Sequence, residues 1–261
     1  MEQKKIYIVT GASGIAAATI RRLLEAGNKV FYVSNQASQC THLAAELEQA
    51  GWPADYVVGD LCTETTAELL IAACMDKYGR IDGLFNVAGI SGRKFGDGPL
   101  HQCTAEGWGK TLAANLDPLF FMTKHVLNQL LLQNAAGMSQ GGVILNMSSV
   151  LAFAPEATHF SAITYAAAKG AVISMTKAAA AYYAADKIRI NALAPGLVLT
   201  AMSARASGDP EILAWMKHKQ PLAGSVMAAD DIAKVASFLL SDAARMITGE
   251  TITVDGGWSI S

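Results

Sequence analysis

Ile6-Tyr7-Ile8-Val9-Thr10-Gly11-Ala12-Ser13-Gly14-Ile15-Ala16 is the stretch whose reading decides the fold. Its first five residues are a short apolar run rich in β-branched and aromatic side chains, the pattern of a strand buried on both faces. From Ala16 to Ala26 the spacing becomes helical and stops at Gly27. Two glycines lie in the tight turn between them, where backbone amides can approach a phosphate at a helix N-terminus. The stretch predicts a strand-turn-helix unit with a nucleotide beyond the strand's carboxyl end.

The rest of the chain repeats the unit. Strand-like runs at Val30–Val33, Tyr56–Val58, Ile81–Val87, Val143–Met147, Ile188–Leu193 and Thr251–Val254 alternate with helical patterns at 37–50, 63–78, 104–134, 164–185 and 230–240. The stretch 104–134 reads as one long helix with Pro118 as a candidate interruption, and 201–229 reads as a long loop segment. Such alternation predicts an α/β fold, a doubly wound parallel sheet of about seven strands with helices on both faces. No repeat or linker divides the chain, so 1–261 is expected to be a single domain.

Composition narrows the function. The 20 basic and 22 acidic residues are nearly balanced, which excludes nucleic acid and a membrane surface as expected partners. No apolar run reaches the 18 or so residues of a membrane span, and a cytoplasmic protein is expected. The 52% apolar share beside only 16% charged residues points to surfaces buried between subunits. Cys40, Cys62, Cys74 and Cys103 are dispersed without a Cys-x-x-Cys pair, so reduced thiols are expected and no metal site. His125 and His159 lack metal-like partners nearby in sequence.

Tyr165-Ala-Ala-Ala-Lys169 places a phenol and an ammonium one helical turn apart. A lysine charge about 4 Å away at an effective dielectric near 20 favours the phenolate by roughly 4 kcal/mol at most. That would draw a tyrosine pKa down by about three, into the range of acid-base chemistry.

Thr10-Gly11-Ala12-Ser13-Gly14-Ile15-Ala16 resembles the first turn of the short-chain dehydrogenase/reductase family, Thr-Gly-x-x-x-Gly-x-Gly, with one residue missing between the glycines and Ala16 for the last glycine. Further motifs, most of them at strand exits, are similar to the family's. They are Asp60-Leu61, Asn86-Val87-Ala88-Gly89, Asn115 in Ala-Ala-Asn-Leu, Asn146-Met147-Ser148-Ser149, Tyr165 with Lys169, Pro195-Gly196-Leu197-Val198-Leu199-Thr200, and Ile247-Thr248-Gly249 with Val254-Asp255-Gly256-Gly257. The resemblance covers essentially the whole chain and implies a Rossmann-type fold and an NAD(P)-dependent oxidoreductase acting on a secondary alcohol or ketone. It implies that Tyr165 is the acid-base group, that Lys169 lowers its pKa and grips the cofactor ribose, that Ser149 rather than Ser148 binds the substrate oxygen, and that Asn115 anchors a proton-relay water. Gly11, Ser13, Gly14, Ile15, Ser34, Asn35, Asp60, Leu61, Asn86, Ala88, Gly89, Tyr165, Lys169, Pro195, Gly196, Val198 and Thr200 are the implied cofactor-binding residues.

After the second strand, Val33-Ser34-Asn35-Gln36 supplies neither an acid for a ribose 2′-hydroxyl nor a base for a 2′-phosphate. The missing carboxylate leans toward NADP over NAD. Arg21 and Arg22 read as solvated surface charges. Residues 201–229, with Met202, Ile212, Leu213, Trp215 and Met216 among Lys217, His218 and Lys219, correspond to the family's substrate loop and suggest a lid. The family also implies a homotetramer, or a homodimer, built through the long helices after the fourth and fifth strands. The alternative is a non-catalytic nucleotide-binding or regulatory protein of the same fold.

Overall fold

The run Ile6–Thr10 forms β1, and all of its residues are buried, as a central strand covered on both faces requires. In the computed structural model, which describes residues 4–139 and 141–261, six more strands join it. These are β2 (Lys29–Ser34), β3 (Asp55–Val58), β4 (Gly83–Asn86), β5 (Gly142–Met147), β6 (Ile188–Pro195) and β7 (Thr251–Val254). The sheet order is β3-β2-β1-β4-β5-β6-β7, with every neighbouring pair parallel. Order reverses between β1 and β4, which makes their carboxyl ends the crevice of a doubly wound sheet.

The helices are α1 (Gly14–Glu25), α2 (Ala37–Gln49), α3 (Glu64–Tyr78), α4 (Ala105–Ala135), α5 (Ile163–Tyr183), α6 (Ala204–Ser207), α7 (Pro210–Lys219) and α8 (Ala229–Leu240). Alternation along β1 divides the core. Tyr7 and Val9 pack with α1, α2 and α8 on one face, while Ile6 and Ile8 pack with α3, α4 and α5 on the other. Among the described residues no helix is long and apolar enough to cross a membrane.

The expected long helix is continuous: Pro118 lies inside α4 without breaking it, because its buried stripe, from Thr111 through Leu130, holds it against the sheet. One expectation of the fold is corrected. The segment after β6 is not a loop but carries α6 and α7. Asp209 caps α7 by accepting the amides of Glu211 and Ile212, with Pro210 as first helical residue. Ile212 and Met216 then bury themselves with Val150, Leu197, Ala206 and Trp258 in a small third core at the carboxyl edge of the sheet.

Candidate active site

The exits of β1 and β4 are tied together at the crevice. The buried Thr10 hydroxyl accepts the amides of Val87 (2.8 Å) and Ala88 (3.1 Å), so the glycine turn and the Ala88-Gly89 segment hold a fixed relation. Gly11 and Gly14 both have positive φ, +117° and +54°, a backbone that the shortened turn needs and that only glycine adopts freely. A Cβ on Gly14 would stand 2.9 Å from Thr200 Cγ2, so the turn after β1 touches the loop after β6. Ser13 precedes α1 with its hydroxyl exposed and not capping the helix, and no acid occupies the first turn. That is a helix end able to receive an anion.

Ser149, Tyr165 and Lys169 converge where β5 meets α5. Ser148 and Ser149 have opposite fates. Ser148 is buried and donates to the Lys169 carbonyl at 2.8 Å, locking α5 onto β5. The Ser149 hydroxyl interacts with the Tyr165 hydroxyl and also accepts the Leu151 amide at 3.3 Å. Lys169 is 4% exposed, and its ammonium donates to the Met147 carbonyl at 2.9 Å and lies 5.6 Å from the Tyr165 ring centre. An ammonium has three N–H donors, so this buried group retains hydrogen-bonding capacity toward a polyol edge. A Cβ on Gly89 would approach Asn115 Oδ1 (2.5 Å) and Lys169 Nζ (3.5 Å); the glycine leaves room for both groups to face one spot. Asn115 is fixed there by donating to the carbonyls of Ile90 and Thr111 and accepting the Ile90 amide.

The electrostatics depart from the sequence expectation. Burial, opposed by the hydrogen bond with Ser149, leaves the Tyr165 pKa above its ordinary value near 10 rather than below it. Tyr165 as a whole is half-buried. Burial also draws Lys169 from 10.5 down to about 8. Burial, which the spacing of the two residues does not contain, sets the direction of both shifts.

The remaining residues divide. The Pro195–Thr200 loop is held by Gln220, fully buried, which accepts the Leu197 amide and donates to the Leu197 and Ser225 carbonyls; a Cβ on Gly196 would strike its Oε1 at 2.2 Å. Leu61 is buried. Asp60 is exposed and accepts the Cys62 amide in a local turn before α3, and it also interacts with the Cys62 thiol. Ser34 accepts the Gln36 amide, and Asn35 is exposed. Asn86 stands apart: its amide donates to Thr123 and Asn146, and Asn146 to Thr176, a buried ladder joining the sheet to α4 and α5. Arg21 and Arg22 are surface charges, with side chains 42% and 31% exposed, and each is paired. Arg21 pairs with Glu46, and Arg22 with both oxygens of Asp230. Arg21, Glu46 and Asp230 border a cleft of about 450 Å³ between α1, α2 and α8, on the helix side of the glycine turn and without Ser149 or Tyr165 in its lining. His125 does find partners across helices, in Glu64 (3.0 Å) and Glu68 (4.0 Å), and Lys124 also pairs with Glu64. All four cysteines are free, with Cys40 and Cys74 buried.

Sequence reasoning missed Gln220 and Asp97. The buried Asp97 carboxylate accepts the amides of Thr164 (2.9 Å) and Tyr165 (3.0 Å) and so caps the helix that carries the tyrosine. Asp209-Pro210 was a readable capping signal for α7, but neither Asp97 nor Gln220 sits in a motif.

Comparison with known proteins agrees with this geometry. Residues 9–259 match the family model described as enoyl-(acyl carrier protein) reductase. The chain belongs to the short-chain dehydrogenase/reductase family. It is 35% identical to the cis-4-hydroxycyclohexanecarboxylate dehydrogenase of Sinomonas cyclohexanicum, over 98% of this chain and 97% of that one. It is 33% identical to a 2,5-dichloro-2,5-cyclohexadiene-1,4-diol dehydrogenase of Sphingobium indicum, over 98% and 96%. The crystal structure of a 3-ketoacyl-(acyl-carrier-protein) reductase from Brucella melitensis, complexed with NADH, superposes with a TM-score of 0.86 at 31% identity, covering 98% of both chains. As a member of this family the protein is an NAD(P)-dependent oxidoreductase of the CH–OH group.

Proposed function

We propose that this short-chain dehydrogenase/reductase interconverts a cyclic secondary alcohol and its ketone through Ser149, Tyr165, Lys169 and Asn115. The reading rests on one arrangement: the Tyr165 hydroxyl meets the Ser149 hydroxyl beside a buried Lys169 ammonium. A carbonyl oxygen placed between the two hydroxyls would receive a hydrogen bond from Ser149 and a proton from Tyr165. Because the phenol stays protonated at neutral pH, it suits ketone reduction there, and alcohol oxidation is expected to quicken as the pH rises. Lys169 and Asn115, facing one another across Gly89, supply a path for replacing the proton.

NAD(P), when bound, supplies or accepts the hydride at the carbinol carbon. The residues that would hold it are the α1 N-terminus with Gly11, Ser13, Gly14 and Ile15, then Ser34, Asn35, Asp60 and Leu61, Ala88 and Gly89, Lys169, and the loop of Pro195, Gly196, Val198 and Thr200. The exposed helix end and the spare donors of Lys169 support the fit. NADP remains the favoured form on the missing carboxylate at Ser34-Asn35 alone, since Arg21 and Arg22 are already paired. The cyclic class follows from the cyclohexane-type substrates named for two relatives. Residues 201–229 act as the lid, within one catalytic domain of 261 residues. A homotetramer, or a homodimer, forms through α4 and α5, whose Trp108, Phe120, Leu132 and Tyr182 are exposed. The cytoplasm is the proposed compartment. Titration with NADPH and NADH, followed by a panel of cyclic ketones, tests the reading. Absence of nucleotide binding at millimolar concentration would favour the non-catalytic alternative.

A further inference from the structure

Two cations stand on the substrate side with no direct carboxylate partner. Arg93 lies in the helical turn Arg93–Phe95 after β4, and Arg205 lies in α6. A guanidinium nitrogen of each donates to the same acceptor, the His159 carbonyl, at 3.1 and 2.8 Å. Like charges drawn to one oxygen repel, and burial together with Arg205 makes Arg93 harder to keep charged. Among the described residues neither forms an ion pair. The two carboxylates whose charges act on Arg93 are both engaged by backbone amides. Asp97 takes those of Thr164 and Tyr165, and Glu156 takes those of Thr158, His159 and Phe160. Each guanidinium has five N–H donors, so most of both forks is unused.

Their position bears on the reaction. The segment holding Arg93 is pinned at both ends to the site, at Ile90 by Asn115 and at Asp97 by the amide of Tyr165. His159 lies in the connection between Ser149 and Tyr165. Both arginines are therefore tied to the connection that joins Ser149 to Tyr165. An apolar wall adjoins them: the His159 ring is 5.3 Å from Trp215, Phe160 is 5.1 Å from Trp258, and the Arg205 guanidinium lies 5.9 Å from the Phe160 ring centre.

We infer that Arg93 and Arg205 form a recognition fork for a carboxylate on the substrate, so that the preferred alcohol or ketone carries that group across an apolar ring or chain lying against Phe160 and Trp215. This rests on the reading of Ser149 and Tyr165 as the reaction centre. Guanidinium matches a carboxylate with paired N–H groups. With Asp97 and Glu156 counted, the local formal charges cancel, so the preference acts at contact range rather than through a long-range field.

The test compares 4-hydroxycyclohexanecarboxylate with its methyl ester, and the corresponding ketones, in the intact enzyme. The acid is expected to exceed the ester in kcat/KM by roughly tenfold or more, the effect of one charged hydrogen bond. Arg93→Met and Arg205→Met should each collapse that ratio, and Arg205→Lys, which keeps the charge without the fork, should retain part of it. Equal use of acid and ester by the unaltered enzyme, or a ratio that survives the double Met variant, overturns the proposal. Titration of cyclohexanecarboxylate against tryptophan fluorescence separates the two readings. Carboxylate binding that is lost in Arg205→Met, with no turnover of any alcohol, would leave the fork standing and sink the reaction centre. Turnover of neutral cyclic alcohols without carboxylate binding or preference would do the reverse. Absence of both would overturn both.

Discussion

Replacing Lys169 by methionine should leave the protein at least as stable at neutral pH while stopping turnover. Burial holds the Lys169 pKa near 8 against 10.5 for a free side chain. At about 1.4 kcal/mol per tenfold change in proton affinity, the charged form destabilises the fold by roughly 3 kcal/mol. The sign follows from proton binding. Between pH 8 and 10.5 the unfolded lysine holds its proton and the folded one does not, so stability rises with pH across that window and the full penalty applies below it. Methionine removes the penalty but strands the Met147 carbonyl, now bonded at 2.9 Å, at a cost of about 1–3 kcal/mol. The net effect at pH 7 is expected to lie between zero and roughly 2 kcal/mol of stabilisation. Urea unfolding of both proteins at matched pH isolates the lysine, because every other titrating group is common to both. Relative to the variant, the unaltered protein should gain roughly 3 kcal/mol between pH 8 and 10.5. A difference that does not change with pH would refute the idea that Lys169 is a strained, buried cation.

Gln220→Leu removes the brace of the Pro195–Thr200 loop and leaves a buried amide without a partner; a loss of about 3 kcal/mol in urea unfolding is expected, with weaker NAD(P)H binding by fluorescence. Asp97→Ala uncaps α5 at Thr164 and Tyr165. Stability should fall by about 1–2 kcal/mol, kcat should fall more than KM rises, and Asp97→Asn should restore part of both. Gly14→Ala puts a Cβ into a left-handed position, 2.9 Å from Thr200 Cγ2; a destabilisation of about 1–3 kcal/mol is expected, and unchanged cofactor affinity would show that the turn is not part of the nucleotide cradle.

The sheet was legible because each central strand is a short apolar run closed by a turn residue, and β1 alone sets the pattern. The placing of Ser149, Tyr165, Lys169 and Asn115 was legible for a related reason: each stands in a recognisable local string, Ser149 just after β5, Asn115 within α4, and Tyr165 with Lys169 within α5. What escaped was long-range. Asp97 acts on an amide 67 positions away, Gln220 on one 23 away, and Arg93 on a carbonyl 66 away, and no local pattern records such partners. The direction of the Tyr165 pKa escaped because it depends on dehydration of the hydroxyl, which a four-residue spacing does not contain. Pro118 left the continuity of α4 open, because the absence of one N–H says nothing of the sheet against which α4 packs.

The central claim is that the Tyr165 hydroxyl transfers the proton of the reaction. Tyr165→Phe removes that hydroxyl alone. With any cyclic ketone the unaltered enzyme reduces, the variant should bind NAD(P)H with affinity within about twofold while single-turnover reduction slows by roughly 10²–10⁴-fold. A near-normal single-turnover rate in Tyr165→Phe would contradict the account.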